Sequence, residues 1–474
     1  MAGGKFMTLE DFKIAFNVFC CVYGVGTLGM PGNFSRAGAV LAIIAMAFMA
    51  FANVYASVAI CRVMLLAPKS VRTYGDLGAW AAGKWGHWFA VVSQMASCLL
   101  VPCVFLVLGG SLLNGLFAGA FSDTVWIILM ALMCLPVCLI PTLKEGAGAA
   151  FAGCLGTIIA DVIGVAVVMH GMRGHPSVPA PDLKFSQVAG VFGNLSLAYG
   201  AGVVIPALQS QAHAALLAST AYSSVGCQIT GNLLFSIYPD ADTGLTTLGF
   251  KSDWGAVVLA YLFMQLHVTI AFSVLLNPPF YLAERILLGM HKKKESDIEN
   301  AITYAEASTP AKDSTANPAV DVSERRSKMS YVSVADAENP HFGDEDETAE
   351  YRGANAIKYV LLRVAIIAVL VILSIVLKDH FSDLSDFVGA SCLSLNSIIL
   401  PIVFLLKKCW SSLPIYEKVP AIAVVVVCSI LACYVTYTSG KTLFSPTESD
   451  VEFPYCDSEF ENKVYYNYTA VHGA

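Results

Sequence analysis

The chain has 474 residues, of which 56% are apolar and only 13% are charged, and its mean hydropathy is +0.66. Soluble domains carry about a quarter charged residues, so this composition excludes an ordinary soluble protein and indicates a lipid bilayer as the solvent. The formal net charge of -7 says little about a substrate, because much of the acid lies in two polar stretches, residues 295–350 and 445–461.

Eleven apolar stretches are long enough to cross a bilayer as helices, which takes about 20 mostly apolar residues each. The stretches lie near residues 9–36, 38–66, 87–118, 124–141, 150–170, 188–209, 213–238, 254–285, 356–377, 383–407 and 418–438. The predicted fold class is therefore an all-α membrane protein of about eleven transmembrane helices.

These stretches divide the chain into segments that are expected to lie in the bilayer and segments that are expected to lie in water. Residues 1–8 form a short N-terminus, 9–290 carry helices 1 to 8, 291–355 form a polar loop that is expected to be disordered, 356–438 carry helices 9 to 11, and 439–474 form a tail. Basic residues in short loops favour a cytoplasmic N-terminus by about twofold. The loop is then cytoplasmic, and the tail is extracellular or lumenal.

Two polar segments carry candidate modification sites. Asn467-Tyr468-Thr469 in the tail is a glycosylation acceptor, which agrees with an outer C-terminus. Arg325-Arg326-Ser327 in the loop resembles a kinase site at Ser327, with a merely solvated loop as the alternative. Cys456 is the cysteine of the polar tail and has no evident partner there, so no disulfide framework is predicted; the other cysteines are interpreted mainly as packing residues.

Glycine and proline interrupt two of the apolar stretches. The first contains GVGTLGMP at 24–31, and the sixth contains YGAG at 199–202 followed by Pro206. Inside lipid, such breaks are tolerated where the opened backbone faces protein, water or substrate. Two broken helices five spans apart predict two inverted repeats, spans 1–5 and 6–10, around a site at the midplane. The alternative is that the glycines only allow close helix packing.

The ends of such broken helices suit a zwitterion, because a half-helix N-terminus carries partial positive charge that attracts a carboxylate. Polar groups along the eighth stretch, four residues apart on one face, join the candidates. The predicted substrate contacts are Gly24, Gly26, Thr27, Tyr199, Gly200, Gly202, Thr269 and Ser273.

Ionisable residues within spans are candidates for function, since burying them in lipid is costly. Asp161 in the fifth stretch and His267 in the eighth are the candidate proton or cation sites, because each can titrate when its surroundings shift its proton affinity. A structural hydrogen bond is the alternative for both. Arg363 is expected to extend to the membrane surface, and Arg36 is counted among the outer loop charges.

Several short motifs, separated along the chain, are informative when their order is considered together. They are the run at 24–31 with the later Gly38, YGDLG at 74–78, His267 with Asn277-Pro278-Pro279-Phe280 and Glu284, Arg363, and FVGAS at 387–391. Together they resemble the amino acid/auxin permease family over most of the chain. The resemblance implies a LeuT-like bundle, with a 5+5 inverted repeat plus one extra helix, and ion-driven movement of amino acids.

Two departures from the family pattern bear on coupling and selectivity. Sodium-coupled members commonly carry an asparagine where this chain has Cys20, with Asn17 one turn earlier, so H⁺ is favoured over Na⁺ as the coupling ion. The family's G-Y-x-x-F-G in the seventh helix is replaced by GCQITG at 226–231, which points to different local packing.

The sequence predicts a secondary active transporter that moves amino acids by alternating access and is coupled to protons. A sodium-coupled symporter is one alternative, and an amino acid sensor that signals through residues 291–355 is another. Neither an enzyme nor a cofactor is predicted, and no nucleic-acid partner, because no matching motif occurs. The expected membrane is the plasma membrane or that of a vacuole-like organelle.

Overall fold

A computed structural model provides the structure of most of the chain. It describes residues 24–68, 71, 73–140, 146–200, 206–240, 242–290, 351, 353–445 and 451–473, without the side chains of 146–151, 206–214 and 354. Four positions on which predictions rest lie outside these residues, namely Asn17, Cys20, Gly202 and Ser327.

The described residues form helices, with isolated bridges in place of strands. The helices are α1 (Val25–Leu28), α2 (Met30–Leu66), α3 (Tyr74–Leu116), α4 (Asp123–Cys138), α5 (Gly146–Gly171), α6 (Phe185–Tyr199), α7 (Pro206–Val225), α8 (Trp254–Ala283), α9 (Ala354–Leu377), α10 (Phe381–Val388), α11 (Leu400–Cys409), α12 (Ile415–Phe444) and α13 (Tyr468–His472). Within this part of the chain, six helical segments are long and apolar enough to cross a membrane. The predicted all-α membrane fold is confirmed.

Two glycines with positive φ divide long helical runs. Gly38 (φ 68°, ψ 168°) separates residues 30–37 from the rest of α2, where the first predicted stretch ends and the second begins. Gly83 (φ 72°, ψ -157°) divides α3 in the same way. These angles are open to glycine and strained for residues with a Cβ, so each glycine fixes a sharp change of helix direction.

The sixth and seventh predicted stretches, 188–209 and 213–238, differ from the structure, because one helix, α7 (Pro206–Val225), joins the end of the sixth to the first half of the seventh. Helix α7 ends at Val225, and Gly226 follows with φ 69°. The next residues form two short 3₁₀ turns, Gly226–Gln228 and Leu233–Ser236. An apolar run alone does not reveal this end, because the glycine that stops the helix sits among residues that would otherwise continue it.

One end of the bundle is covered by the C-terminal tail, and we call it the tail end. A disulfide joins Cys227 to Cys456, so the prediction of no disulfide is wrong. Cys456 also forms a β-bridge with Pro181, in the connection between α5 and α6. Since the paired cysteines are 229 residues apart, the polar tail by itself showed no partner.

The opposite end, which we call the loop end, is organised by a buried ion pair. Arg363 of α9 donates through Nε to Glu284, at 2.7 Å, and the two side chains are 2% and 0% exposed. Its Nη1 donates to the carbonyl oxygens of Cys138 and Ile140, at 2.8 and 3.0 Å. Tyr351 donates its hydroxyl to the other oxygen of Glu284, at 2.9 Å. Arg363 therefore does not extend to the membrane surface, and that expectation is wrong.

Removal of the carboxylate at position 284 tests this pair. We expect Glu284→Gln to lower the free energy of unfolding by about 3 to 5 kcal/mol, because it leaves a buried guanidinium without its counter-charge. Glu417→Gln is the matched control, since it breaks the pair with the half-exposed Arg62 and is expected to cost about 1 kcal/mol or less. Thermal unfolding of the full-length protein in one detergent measures both, and equal losses would contradict the assignment.

Candidate functional site

The candidate site lies at the start of α1, which is where the described part of the first apolar stretch begins. Gly24 is extended (φ -152°, ψ -151°) and precedes α1. Its carbonyl oxygen accepts the backbone N–H of Thr27 at 2.9 Å and the Thr27 hydroxyl at 2.8 Å. Gly29, with helical angles, joins α1 to α2. Thr27 therefore supplies two hydrogen bonds to the carbonyl oxygen of Gly24, and the part of the predicted first helix before Gly24 lies outside the described residues.

Asp161 reaches the same segment from α5. Its Oδ2 lies 2.9 Å from the Thr27 hydroxyl oxygen, and the residue is 2% exposed. A hydroxyl has one proton to donate, yet Thr27 lies within hydrogen-bonding distance of both Gly24 and Asp161. If Thr27 donates to the Gly24 carbonyl, a protonated Asp161 completes the network by donating to Thr27. The Thr27 hydroxyl thus links the Gly24 carbonyl oxygen to the Asp161 carboxyl group.

His267 reaches Gly24 from α8. A Cβ built on Gly24 would lie 2.9 Å from Nε2 of His267, and one on Gly153 of α5 would lie 3.4 Å from its Nδ1. The ring is thus held between the opened backbone and α5, and the residue is 5% exposed. Asp161 of α5 and His267 of α8 both contact the segment 24–27. The structure therefore places the two ionisable candidates at one site.

The glycines of this region also pack against neighbours. A Cβ on Gly26 would overlap the Cα of Ala198 in α6 and lie 2.7 Å from its Cβ. One on Gly29 would lie 2.8 Å from Nδ2 of Asn194, and one on Gly32 would lie 2.9 Å from the Cα of Gly231. The close-packing interpretation therefore applies to this run, which docks onto α6 at Gly26 and Gly29 and onto Gly231 at Gly32. The broken-helix interpretation stays a prediction.

The second predicted break lies at the end of α6. Tyr199 is the last residue of α6 and is 2% exposed, Gly200 caps the helix, and the next described helix starts at Pro206. A Cβ on Gly200 would lie 2.7 Å from the carbonyl oxygen of Ser196 and 3.0 Å from Leu393. The end of α6 lies close to α1, because Tyr199 and Gly200 directly follow Ala198, which contacts Gly26.

Thr269 and Ser273 lie on another face of α8. Thr269 donates to the Gln265 carbonyl at 2.8 Å, and Ser273 donates to the Thr269 carbonyl at 3.0 Å. Ser273 also lies 3.7 Å from the sulfur of Cys138 in α4. Two positions along a helix correspond to about 200° of rotation, so Thr269 points away from the face of His267. The structure does not bring these two side chains to segment 24–27.

Sequence reasoning missed a second ion pair, which lies at the tail end. Arg36 donates through Nη1 to Asp386 of α10 at 2.5 Å, and the side chains are 6% and 5% exposed. It also donates to the hydroxyl of Ser382. The pair lies over Gly190 of α6, whose added Cβ would be 3.2 Å from Nη1. The available signal in the sequence was Asp386, a carboxylate near the start of the tenth apolar stretch. Arg36 is paired with it and is not a free loop charge.

The fold is that of a membrane protein with several spans. At its candidate site, Asp161 and His267 contact the segment 24–27 at the start of α1. The chain belongs to the family described as transmembrane amino acid transporter proteins, whose model matches residues 8–441. The resemblance seen in the sequence motifs is confirmed. The family is one of transporters and not of enzymes.

Individual relatives match less completely. A stretch of 108 residues is 32% identical to the amino acid transporter AVT1I of Arabidopsis thaliana and covers 23% of this chain and 26% of that protein, so the match spans about a quarter of the relative's length. Among solved structures, the Eremococcus coleocola manganese transporter in complex with an aromatic bis-isothiourea substituted compound is 13% identical, with 94% of this chain and 91% of that chain covered and a TM-score of 0.38. A mutant of that transporter is 14% identical, with coverages of 95% and 92% and a TM-score of 0.39.

A side chain at position 26 tests the contact of α1 with α6. We expect Gly26→Ala to destabilise the folded protein by about 1 to 3 kcal/mol, the usual cost of overpacking, because the new Cβ meets backbone that cannot rotate away. Gly440→Ala in α12 is the control, since its Cβ would meet the Phe387 ring at an ordinary 3.4 Å and alanine favours helix. Unfolding midpoints in one detergent compare them; equal values would contradict the contact.

Proposed function

We propose that this protein moves amino acids across a membrane by alternating access and that a proton drives the movement. The single observation that carries the proposal is the network at segment 24–27, in which the Thr27 hydroxyl lies 2.8 Å from the Gly24 carbonyl oxygen and 2.9 Å from the Asp161 carboxylate. It connects a titratable group directly to the opened backbone of a broken helix.

The proposed substrate is a zwitterion held at this opened backbone. Peptide groups of Gly24, Gly26 and Thr27 at the start of α1, and of Gly200 at the end of α6, offer hydrogen bonds to carboxylate and ammonium groups. The helix that begins at Val25 adds partial positive charge at its N-terminus. Tyr199 and the undescribed Gly202 belong to the same proposed site, whereas Thr269 and Ser273 lie on a different face.

The proposed coupling step is protonation of Asp161. With the proton present, Asp161 donates to the Thr27 oxygen, and Thr27 donates to the Gly24 carbonyl. Without it, the charged carboxylate competes for the Thr27 proton, and the Gly24 carbonyl loses that partner. Proton binding thereby changes the hydrogen bonding of the backbone that binds the substrate. His267, against Gly24 and Gly153, is the second proposed proton group.

The ion pair at the tail end is the proposed outer gate. Arg36 follows the opened helix in α2, and Asp386 belongs to α10, so the pair closes one end of the bundle above α6. The proposed orientation puts this end outside, in keeping with the bias of basic residues toward the other side. The alternative is a sensor that signals through residues 291–355, which lie almost wholly outside the described residues.

Uptake measurements test the function. With the full-length protein in proteoliposomes, we expect labelled amino acids to accumulate when a pH gradient is imposed and to ignore an imposed sodium gradient. A panel of amino acids at two pH values, with and without sodium, identifies the substrate. Accumulation that follows sodium and ignores pH would overturn the proton assignment, and no uptake of any amino acid would overturn the substrate class.

The proton site is tested by Asp161→Asn. Asparagine keeps a donor near Thr27 and so imitates the protonated state permanently. We expect uptake driven by a pH gradient to fall roughly tenfold or more, the range typical of coupling between two sites, while exchange of internal for external amino acid persists. Asp253→Asn, at the exposed N-cap of α8, is the control and should retain pH dependence. Retained pH dependence in Asp161→Asn would show that this carboxylate is only a structural acceptor.

A further inference from the structure

The C-terminal tail lies against the ion pair that we propose as the outer gate. The ring of Tyr455 stacks on the guanidinium of Arg36, with 5.3 Å between the guanidinium carbon and the ring centroid. Loss of water around Tyr455 raises the pKa of its hydroxyl above the ordinary value, so the ring stays neutral. A neutral aromatic face attracts a cation, and Tyr455 therefore adds a third contact to Arg36, beside Asp386 and Ser382.

The backbone of this part of the tail is fixed on both sides of the tyrosine. Its own carbonyl oxygen accepts the N–H of Asp182 at 2.9 Å. The next residue, Cys456, forms the disulfide with Cys227 and the bridge to Pro181. The Cys227 N–H in turn donates to the Pro179 carbonyl at 3.0 Å. Two separate parts of the chain, the connection between α5 and α6 and the residue after Gly226, thus hold Tyr455 at the gate.

Gln228, beside the disulfide, anchors the rest of the tail. It is fully buried, and its Nε2 donates to the carbonyl oxygens of Phe460 and Lys463 at 3.0 and 2.7 Å. Its Oε1 accepts the N–H of Tyr465 at 3.2 Å, and the Tyr465 hydroxyl donates to the Ser224 carbonyl at 2.8 Å. All of these contacts join the tail to the region where α7 ends.

Cys227 and Gln228 belong to the run at 226–231 that departs from the family pattern. One supplies the covalent bond to the tail, and the other supplies three hydrogen bonds to it. The departure and the docked tail therefore occur together, which gives the unusual run a structural purpose.

We propose that residues 451–473 are an anchored part of the outer gate, in which the Cys227–Cys456 disulfide holds Tyr455 as a positioning residue on Arg36. The inference rests on the proposed function, because the gate has meaning only in a transporter. It implies that the tail favours the closed form of the tail end, and that cutting the disulfide makes this end open more often.

The test measures opening directly rather than through transport. Ser382→Cys in the full-length protein places a thiol beside Arg36, and its reaction with a bulky maleimide is followed by peptide mass spectrometry at residue 382. We expect the rate to rise about two- to fivefold when Tyr455→Leu or Cys227→Ser with Cys456→Ser is added, as for loss of one cation–π contact. Tyr455→Phe keeps the ring and should stay nearer the parent rate.

Matched controls are available in α12. Cys433→Ser removes an exposed free cysteine, and Tyr437→Leu removes a tyrosine that is 71% exposed; neither should change the rate at residue 382. If the disulfide variant folds poorly, brief treatment of the folded parent with a reductant, followed by its removal, replaces it. Labelling at Cys456 then proves that the bond was cut.

The outcomes separate the two proposals. An unchanged rate at residue 382 in Tyr455→Leu, or after proven reduction, overturns the role of the tail whatever the uptake assay shows. A faster rate in a protein that takes up no amino acid upholds the contact of the tail with the ion pair and overturns the transport function on which its meaning as a gate rests.

Discussion

A buried backbone carbonyl needs hydrogen-bond partners, and the candidate site depends on how the carbonyl of the buried Gly24, at the start of α1, meets that requirement. Thr27 supplies both a backbone N–H and a hydroxyl to the Gly24 carbonyl. The same hydroxyl also contacts Asp161, so the residue that satisfies the Gly24 carbonyl also connects it to a titratable group. The opening is stable because α1 continues immediately into a tight contact with α6, where Gly26 admits Ala198.

Composition predicted the all-α membrane fold and most helix positions, because these features follow from local requirements of a chain in lipid. Asp161 and His267 were found in the same way, as costly groups within spans. The face of α8 at the candidate site was harder to predict. Thr269 and Ser273 are polar and lie on one face of the helix, but their hydroxyl groups donate to backbone carbonyls of α8 itself. Polarity alone does not tell a binding group from such a bond.

Contacts between distant parts of the chain escaped prediction. Cys227 and Cys456 are separated by 229 residues, and Cys227 sits in an apolar stretch that looked like the middle of a span. Arg36 and Arg363 were each assigned to a membrane surface, since a long cationic side chain near a helix end usually reaches water. Their partners, Asp386 and Glu284, come from other helices, and only the packing of those helices shows that the arginines are buried.

The buried Arg363 is held by more contacts to backbone than the buried Arg36. This difference bears on the proposed role of Arg36 in the outer gate. Arg363 bonds Glu284 and two carbonyl oxygens at the end of α4, all within protein. Arg36 bonds one carboxylate and one hydroxyl of α10 and completes its surroundings with the ring of Tyr455 from the tail. Separation of α2 from α10 at the tail end breaks only side-chain contacts, whereas separation at the loop end also removes partners from helix carbonyls. The loop-end pair therefore holds α9 to the end of α4, and the looser contacts of the tail-end pair support its proposed role as the outer gate.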